Sequence, residues 1–206
     1  MKKYGFFGGA FNPPTIAHIE YAKRAVKEME LDKLFFVPVG DYYNKPELIS
    51  EKHRYKMLQK ICKNEEKLEV LDIELNRKEN LTAIDAFHII KQKYKHSDIY
   101  FVLGSDNFIK LPTWNKNKEL INYYKYIVLE RDGNKLDNII KENKINCNII
   151  YGNFQISSTM VRDAIKRGEK ISKWTFPVVE EYIKENNLYK FTFWKNNTLT
   201  FLQTLF

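Results

Sequence analysis

Short apolar runs alternate with amphipathic stretches along most of the chain, and this alternation limits the folds that are open to it. Short apolar runs bounded by turn residues are typical of buried strands, whereas apolar residues three and four positions apart are typical of one helix face. Strands that alternate with helices form βαβ units, so we expect an α/β fold with a mostly parallel sheet. The predicted strands are Lys3–Phe7, Lys33–Val39, Leu68–Asp72, Ile99–Leu103, Tyr126–Leu129 and Asn148–Ile150. The predicted helices are Thr15–Met29, Ser50–Cys62, Leu81–Lys95, Asn117–Asn122, Leu136–Asn143, Thr159–Arg167 and Pro177–Glu185.

The composition indicates one folded domain. A chain of 206 residues with 44% hydrophobic and 15% aromatic residues can bury a sizeable core, which argues against wholesale disorder. No window contains the ~18 consecutive apolar residues that a membrane-spanning helix needs, and the start is too short in apolar length for a secretory signal. Cys62 and Cys147 lie far apart and form no CxxC pair, so neither a disulfide framework nor a zinc knuckle is expected. We therefore expect a soluble, cytoplasmic protein without a membrane partner.

The net charge of +8 favours anionic partners such as nucleotides, phosphorylated metabolites or nucleic acid. A scattered, lysine-rich surface without any such partner would give the same excess. A nucleic-acid-binding module, the alternative outside the enzymes, would need a basic stripe with exposed aromatic side chains. The basic residues are dispersed along this sequence, so we do not expect nucleic acid to be the partner.

The segment Gly8–His18 follows the first predicted strand and opens the first predicted helix. Glycines at a strand end let the backbone approach a ligand closely. Thr15 is a good N-cap, and the first N–H groups and positive dipole end of the helix behind it attract anions. His18 lies one helical turn after Thr15, so both side chains can face the same phosphate. Taken alone, the segment also fits a simple βα turn with a packed histidine, and it is neither a Walker loop nor a GxGxxG fingerprint.

Two further segments have the composition of ligand sites. In Ile156–Arg162, three consecutive hydroxyl residues precede a helical run and Arg162 lies one turn inside it, which suits a polyphosphate. The same hydroxyls would also cap the helix without any ligand. Gly104–Asp106 follows a buried strand, at the end where ligands bind in open α/β sheets, and Asp106 could accept hydrogen bonds from ribose hydroxyls. Taken alone, that segment fits a turn better than a ribose contact.

Together these residues resemble a known superfamily. Gly9–His18 is similar to the GxFxPx(H/T)xGH motif of the nucleotidyltransferase α/β phosphodiesterases, and Ile156–Arg162 is similar to their ISSTxIR signature. Gly104–Asp106, followed by Leu111–Trp114, resembles the bacterial nicotinate-nucleotide adenylyltransferase branch. The resemblance covers residues 1–189, which we expect to form the nucleotidyltransferase domain.

The resemblance implies a Rossmann-like, doubly wound parallel sheet with helices on both faces. It also implies that ATP and nicotinate mononucleotide are converted to nicotinate adenine dinucleotide and pyrophosphate with Mg²⁺, a step of NAD biosynthesis. Adenylyl transfer needs no protein nucleophile, so the protein must bring two polyanions together and offset their charge. Mg²⁺ would be held mainly by substrate phosphates and water, so no protein metal site is expected. Acceptors such as phosphopantetheine, or CTP as the nucleotide, remain alternatives against which Gly104–Trp114 argues.

The resemblance also implies three groups of site residues. Within them, His18 would stabilise charge on the transferred group, Asp106 would bind the adenosine ribose and Trp114 would stack on the pyridine ring. The expected catalytic residues are His18, Thr15, Lys45 and Arg162. The expected ATP-binding residues are Gly8, Gly9, Ala10, Phe11, Thr15, His18, Gly104, Ser105, Asp106, Ile156, Ser157, Ser158, Thr159 and Arg162. The expected acceptor-binding residues are Asn44, Lys45, Thr82, Asp85, Trp114 and Arg131.

Three positions depart from the family pattern. Ala17 replaces the usual glycine, and its methyl group would either narrow the approach of ATP or be absorbed by a small backbone shift. Asn44 stands where many members have histidine, so one phosphate contact would differ. Asn115 stands where an aromatic or basic residue is common, which leaves nicotinamide mononucleotide open as an acceptor.

Two other regions have no assigned role in the chemistry. His53 and Arg54 lie in a polar helix start and are expected to be solvated, although Arg54 matches a family position in an HRxxM stretch. Residues 190–206 form an expected C-terminal extension, and Phe191–Phe206 resembles a hairpin with its turn at residues 196–197. An extra edge ribbon, an oligomer contact and a non-native extension all remain open, as does the choice between a monomer and a homodimer.

Overall fold

A parallel six-stranded sheet forms the centre of the computed structural model, which describes residues 1–43, 45–77, 80–130 and 136–190. Each predicted strand is present, and its ends differ from the prediction by no more than two residues. The strands are β1 (Lys3–Gly9), β2 (Lys33–Pro38), β3 (Leu68–Val70), β4 (Asp98–Gly104), β5 (Lys125–Glu130) and β6 (Cys147–Tyr151).

Every predicted helix is also present among the described residues. The structure adds one short helix, α4, and a 3-10 turn at Leu111–Thr113, neither of which was predicted. A single turn is too short to show a helical period in the sequence. The helices are α1 (Ile16–Glu28), α2 (Glu51–Cys62), α3 (Ala83–Lys93), α4 (Ser105–Phe108), α5 (Asn117–Tyr123), α6 (Leu136–Asn143), α7 (Ser158–Lys166) and α8 (Pro177–Glu185).

The strand order β3-β2-β1-β4-β5-β6 places the start of the chain at the middle of the sheet. The chain runs outward from β1 to β3, returns to β4 beside β1 and then runs to β6. Phe7 on β1 is level with Val102 on β4, so the carboxyl ends of these two strands lie side by side. In such sheets ligands bind outside the carboxyl ends where the strand order reverses. The predicted Rossmann-like, doubly wound sheet is confirmed, and its switch point lies at Gly9 and Gly104.

Helices cover both faces of the sheet, because successive side chains of each strand point to opposite faces. Phe7 and Val102 belong to a core that also contains side chains of α1, α2, α7 and α8. Their chain neighbours Phe6 and Phe101 belong to a second core, with side chains of α3 and α5. The two cores therefore lie on opposite faces of the sheet, each between the sheet and its helices.

The described residues include no helix with the length and apolar character needed to cross a membrane. Leu188 and Tyr189 pack against the core at the end of the described part of the chain. The predicted hairpin at Phe191–Phe206 lies outside the described residues. The division into a domain of residues 1–189 and a C-terminal extension therefore stays a prediction.

Candidate active site

The turn between β1 and α1 begins with exposed backbone. A Cβ atom added at Gly8 would meet no heavy atom within 4 Å, so this face of the backbone is open. The carbonyl of Gly9 accepts a hydrogen bond from the Val39 N–H (3.0 Å). The carbonyl of Ala10 accepts one from Arg54 Nη1 (3.0 Å). These contacts fix the turn and leave room for a ligand to approach the backbone closely.

The Phe11 side chain forms the wall behind His18. Its backbone is in the left-handed region, with φ of 47°, and its ring is buried. Ring centroids lie 5.2 Å apart between Phe11 and His18, and 5.4 Å apart between Phe11 and Phe36, both in edge-to-face geometry. A non-glycine residue with positive φ persists only where its surroundings fix it, which is common at functional sites. Phe11, which was expected to bind ATP, therefore contributes packing through its ring.

Thr15 and His18 form the reciprocal contact of a capping box at the start of α1. The Thr15 N–H donates to His18 Nδ1 (3.0 Å), and Thr15 Oγ1 lies 2.8 Å from the same nitrogen. A backbone N–H can only donate, so Nδ1 accepts and the ring proton is on Nε2. The imidazole is thus held in one tautomer. Ala17 has no exposed surface, so its methyl group lies in the protein interior and not on the surface of the turn.

The start of α7 shows how the three hydroxyls of the second motif are used. Ser157 caps the helix, because its hydroxyl accepts from the Met160 N–H (3.2 Å). Ser158 donates to the carbonyl of Pro13 (2.8 Å), which fixes α7 against the β1–α1 turn. A hydroxyl has a single proton to donate. The Ser158 proton is already used in the hydrogen bond to Pro13. Ser157 only accepts from Met160, so its own proton is not used in that bond. The capping role and the predicted anion site are therefore compatible.

Arg162 joins the two motifs directly. Its side chain is buried, and Nη1 donates to the carbonyl of Asn12 (3.0 Å), 150 positions away in the chain. Nη2 donates to the Thr159 hydroxyl oxygen (3.3 Å), and Nε to the Glu47 carboxylate (3.2 Å). The structure thus brings Arg162, from the second motif, into direct contact with the β1–α1 turn, which contains the first.

Asn12 is a structural centre that the sequence prediction did not single out, although it lies inside the first motif. Its side chain is buried. Nδ2 donates to the carbonyl of Glu47 (2.9 Å), and Oδ1 accepts from the Tyr189 hydroxyl (2.9 Å). Asn12 thereby links the β1–α1 turn to the β2–α2 loop and to the end of the described chain.

The end of β4 places Asp106 beside the carboxyl end of β1. A Cβ atom added at Gly104 would lie 2.9 Å from Asp106 Oδ1, so only glycine leaves room for the carboxylate at this point. Asp106 is exposed in the first turn of α4, whereas Ser105 is buried. An exposed carboxylate at the switch point is in the place predicted for a ribose contact.

Lys45 lies on the β2–α2 loop, at the same edge of the sheet. Its side chain is exposed, and Asn44 beside it lies outside the described residues. A surface depression of about 360 Å³ lies under this loop, and it is lined by Asp41, Tyr43, Lys45, Leu48 and Ser50.

The residues predicted to bind the acceptor make contacts mainly with their own neighbours in the chain. Thr82 caps α3 with Asp85, whose carboxylate accepts from the Thr82 N–H (2.9 Å) and hydroxyl (2.6 Å). These bonds, the hydroxyl bond above all, hold the pKa of the Asp85 carboxyl below its ordinary value. Trp114 is half-buried against the second core, after the 3-10 turn. Arg131 lies outside the described residues.

Comparison with known proteins assigns the family. The cytidylyltransferase-like family model matches residues 6–164. A protein of Shouchella clausii named as a probable nicotinate-nucleotide adenylyltransferase is 34% identical over 191 residues, which cover 92% of this chain and 97% of that protein. A protein of the same name from Clostridium novyi is 32% identical over 200 residues, covering 92% of this chain and 100% of that protein. The chain belongs to the nicotinate-nucleotide adenylyltransferase family.

Solved structures agree with this family at the level of the fold. The Plasmodium falciparum nicotinic acid mononucleotide adenylyltransferase complexed with NaAD superposes with a TM-score of 0.79. The match covers 92% of this chain and 98% of that one, at 24% identity. The resemblance predicted from the paired motifs is therefore confirmed.

Arg54 is a second residue of this adenylyltransferase-family site, after Asn12, that the sequence prediction missed. It was expected to be solvated, but its side chain has no exposed surface. Nε donates to the carbonyl of Ile49 (2.9 Å), Nη1 to that of Ala10 and Nη2 to the Asp41 carboxylate (3.4 Å). Arg54 thus holds the β1–α1 turn and both ends of the β2–α2 loop together. His53 was also expected to be solvated, but it is half-buried, and its Nδ1 lies 3.0 Å from the Tyr182 hydroxyl.

A buried carboxylate fixes the same loop from the other side. Glu51 accepts from the Asp41 N–H (2.7 Å) and from the Asn76 N–H (2.7 Å), so it ties the β2–α2 loop to the segment after β3. In that segment Glu74 accepts from the Tyr42 hydroxyl (2.6 Å). Burial raises the pKa of the Glu74 carboxyl above its ordinary value of 4.5, because the charged form loses hydration.

Replacing Glu74 by glutamine tests this burial. A carboxyl with a raised pKa in the folded state makes the protein less stable as the pH rises from 4.5 through that raised value. The variant lacks this titration, so its free energy of unfolding should rise relative to that of the wild type between about pH 4 and about pH 7. Urea unfolding at both pH values measures the difference. Glu66→Gln, at an exposed position, is the control, and a difference that is the same at both pH values would contradict the expectation.

Proposed function

We propose that this chain transfers the adenylyl group of ATP to nicotinate mononucleotide, giving nicotinate adenine dinucleotide and pyrophosphate. The observation that carries the proposal is the docking of the α7 start on the β1–α1 turn, through Arg162 and Ser158. Two segments that each suit a phosphate thereby converge at one switch point. Relatives named for this activity match nearly the whole chain. The catalytic unit is residues 1–189 in this proposal.

In the proposed mechanism the acceptor's phosphate attacks the α-phosphorus of ATP, and the bond to the leaving pyrophosphate breaks. No protein side chain forms a bond with the substrate, so the protein acts by orientation and charge stabilisation. His18 carries its ring proton on Nε2, because Nδ1 accepts from Thr15. We assign that donor to the charge that develops on the transferred phosphate.

The leaving pyrophosphate is assigned to the start of α7. Ser157 and Thr159 act as acceptors in their observed contacts, so their O–H groups can donate to phosphate oxygens. The first N–H groups of the helix and Arg162 add further donors. Lys45, which is exposed on the β2–α2 loop, is assigned to the substrate phosphates that lie nearest to that loop.

The remaining assignments concern the two nucleosides. The backbone at Gly8 and the Asp106 carboxylate are assigned to adenosine, whose ribose hydroxyls can donate to that carboxylate. The capped start of α3, with Thr82 and Asp85, is assigned to the acceptor. Trp114 is assigned to the pyridine ring, on which an aromatic side chain can stack.

Mg²⁺ is proposed to enter with ATP. The donors at the start of α7 are hydroxyls, N–H groups and a guanidinium, which suit a polyphosphate. The described residues contain no group of three or more His, Cys, Asp or Glu side chains that could hold a metal ion. In this proposal the ion is held mainly by phosphate oxygens and water, where it neutralises phosphate charge.

Pyrophosphate release tests the proposal, with nicotinate and nicotinamide mononucleotides compared in parallel at saturating ATP and Mg²⁺. We expect kcat/KM to be higher for the acid by on the order of tenfold or more, as one charge-assisted contact would give. A preference for the amide would keep the chemistry and replace the acceptor. Absence of pyrophosphate release with both would overturn the proposed function.

A further inference from the structure

A carboxylate of this chain lies between two cations of α7. Glu47, on the β2–α2 loop, accepts from Arg162 Nε (3.2 Å) with one oxygen and pairs with Lys166 Nζ through the other. Arg162 and Lys166 are four residues apart, so both side chains lie on one face of α7. The two cations therefore converge on the two oxygens of a single anionic group.

This ion cluster adjoins the first turn of α7. Arg162 also contacts the Thr159 hydroxyl in that turn and the carbonyl of Asn12 in the β1–α1 turn. A phosphate placed against that turn would present the same pair of oxygens as the Glu47 carboxylate, with more negative charge. Guanidinium and ammonium groups bind phosphates and carboxylates through the same donors.

The Glu47 side chain is not needed to hold its loop. Its backbone carbonyl accepts from Asn12 Nδ2 (2.9 Å), and Arg54 holds the loop through Ile49. The carboxylate is 45% exposed, so water screens part of its attraction to the two cations. The two cations hold the pKa of the Glu47 carboxyl below its ordinary value, Lys166 most strongly, so the carboxylate stays charged at neutral pH.

We propose that Lys166 is a further phosphate-binding residue. In the absence of ATP the Glu47 carboxylate occupies the position between Lys166 and Arg162, and the β- and γ-phosphates of ATP replace that carboxylate there. This rests on the proposed function, because it concerns the same nucleotide. With Glu47 in place, Arg162 and Lys166 are partly neutralised, and an incoming phosphate must compete with it. Once displaced, Glu47 can turn to solvent, because it is already half-exposed.

Calorimetric titration of the full chain with tripolyphosphate, ATP and AMP tests this inference without any acceptor. Glu47→Gln removes the competing charge and keeps the shape, so tripolyphosphate and ATP should bind about tenfold more tightly. Lys166→Met should weaken both by about tenfold, and Lys166→Arg should keep the affinity. The gain from Glu47→Gln should shrink when Lys166 is also replaced, as coupled sites require. AMP lacks the β- and γ-phosphates, so its affinity should not change.

Two matched controls come from ion pairs of the same kind elsewhere. Glu169→Gln removes a carboxylate that pairs with Arg167 just beyond the end of α7. Lys184→Met removes a cation that pairs with Glu180, four residues earlier on α8. Both should bind tripolyphosphate as the wild type does.

The two proposals fail in different ways. Unchanged tripolyphosphate affinity in both Glu47→Gln and Lys166→Met would overturn this inference, whatever the activity. A shift of equal size for AMP would also overturn it, because the site would then not hold the leaving phosphates. If the affinities change as expected but no pyrophosphate is released with either acceptor, the anion site stands and the proposed function fails.

Discussion

Replacing His18 by alanine should lower kcat for pyrophosphate release by on the order of 10²–10³-fold, the usual cost of losing one donor to transition-state charge. The donor is Nε2–H, since Nδ1 is held as an acceptor by the Thr15 N–H. KM for the acceptor should change little, because His18 is assigned to the phosphates of ATP. Steady-state kinetics with the acceptor varied at saturating ATP separates the two effects.

A second substitution distinguishes catalysis from helix capping. His18 completes a capping box with Thr15, so alanine also removes a cap, at a cost of about 1 kcal/mol. Glutamate is a regular capping-box residue at this position and its ionised side chain only accepts hydrogen bonds, so His18→Glu should recover the melting temperature but leave the kcat loss. His96→Ala, at an exposed turn, should behave as the wild type. If kcat returned in step with the melting temperature, His18 would be only a cap.

The fold was predictable because its signals are local. Strands such as β1 and β4 are apolar runs, and α1 and α7 begin at residues that favour N-caps. Their sequence patterns therefore indicate their ends within two residues. Placing the two phosphate motifs at one switch point needed the family resemblance, since spacing alone does not bring residues 150 positions apart into contact. Helix α4 has four residues, too few to show a period.

The contacts that the sequence did not predict are long-range and polar. Asn12 could be seen as a motif residue, but its partners Glu47 and Tyr189 come from loops far along the chain. In the sequence, nothing distinguishes Glu47 from the other acidic residues. Only the fold brings it into contact with Arg162, 115 positions away. The HRxxM match was the one local signal for Arg54. The polar surroundings of that residue outweighed it and gave the wrong expectation of a solvated side chain.

Replacing Arg54 by methionine should have the largest effect on stability. The variant keeps a long apolar stem but leaves the carbonyls of Ala10 and Ile49 without their guanidinium donors. Each buried polar group that loses its partner costs about 1–3 kcal/mol, so we expect a loss of about 3 kcal/mol. For a chain of this length that corresponds to a melting temperature lower by about 6–12 °C. Differential scanning calorimetry and urea unfolding measure both quantities.

Activity should fall as well, because Ala10 belongs to the turn that is assigned to ATP. At temperatures below its melting transition, where the variant is folded, its KM for ATP should be higher than that of the wild type. Arg54→Lys keeps the charge but not the planar fork, so it should recover only part of the stability. The control is Arg24→Met, because the Arg24 guanidinium pairs with Glu28 on the exposed side of α1. This substitution should change the free energy of unfolding by less than about 0.5 kcal/mol. If Arg54→Met behaved like Arg24→Met, Arg54 would be solvated as its polar surroundings suggest, and it would not position the β1–α1 turn.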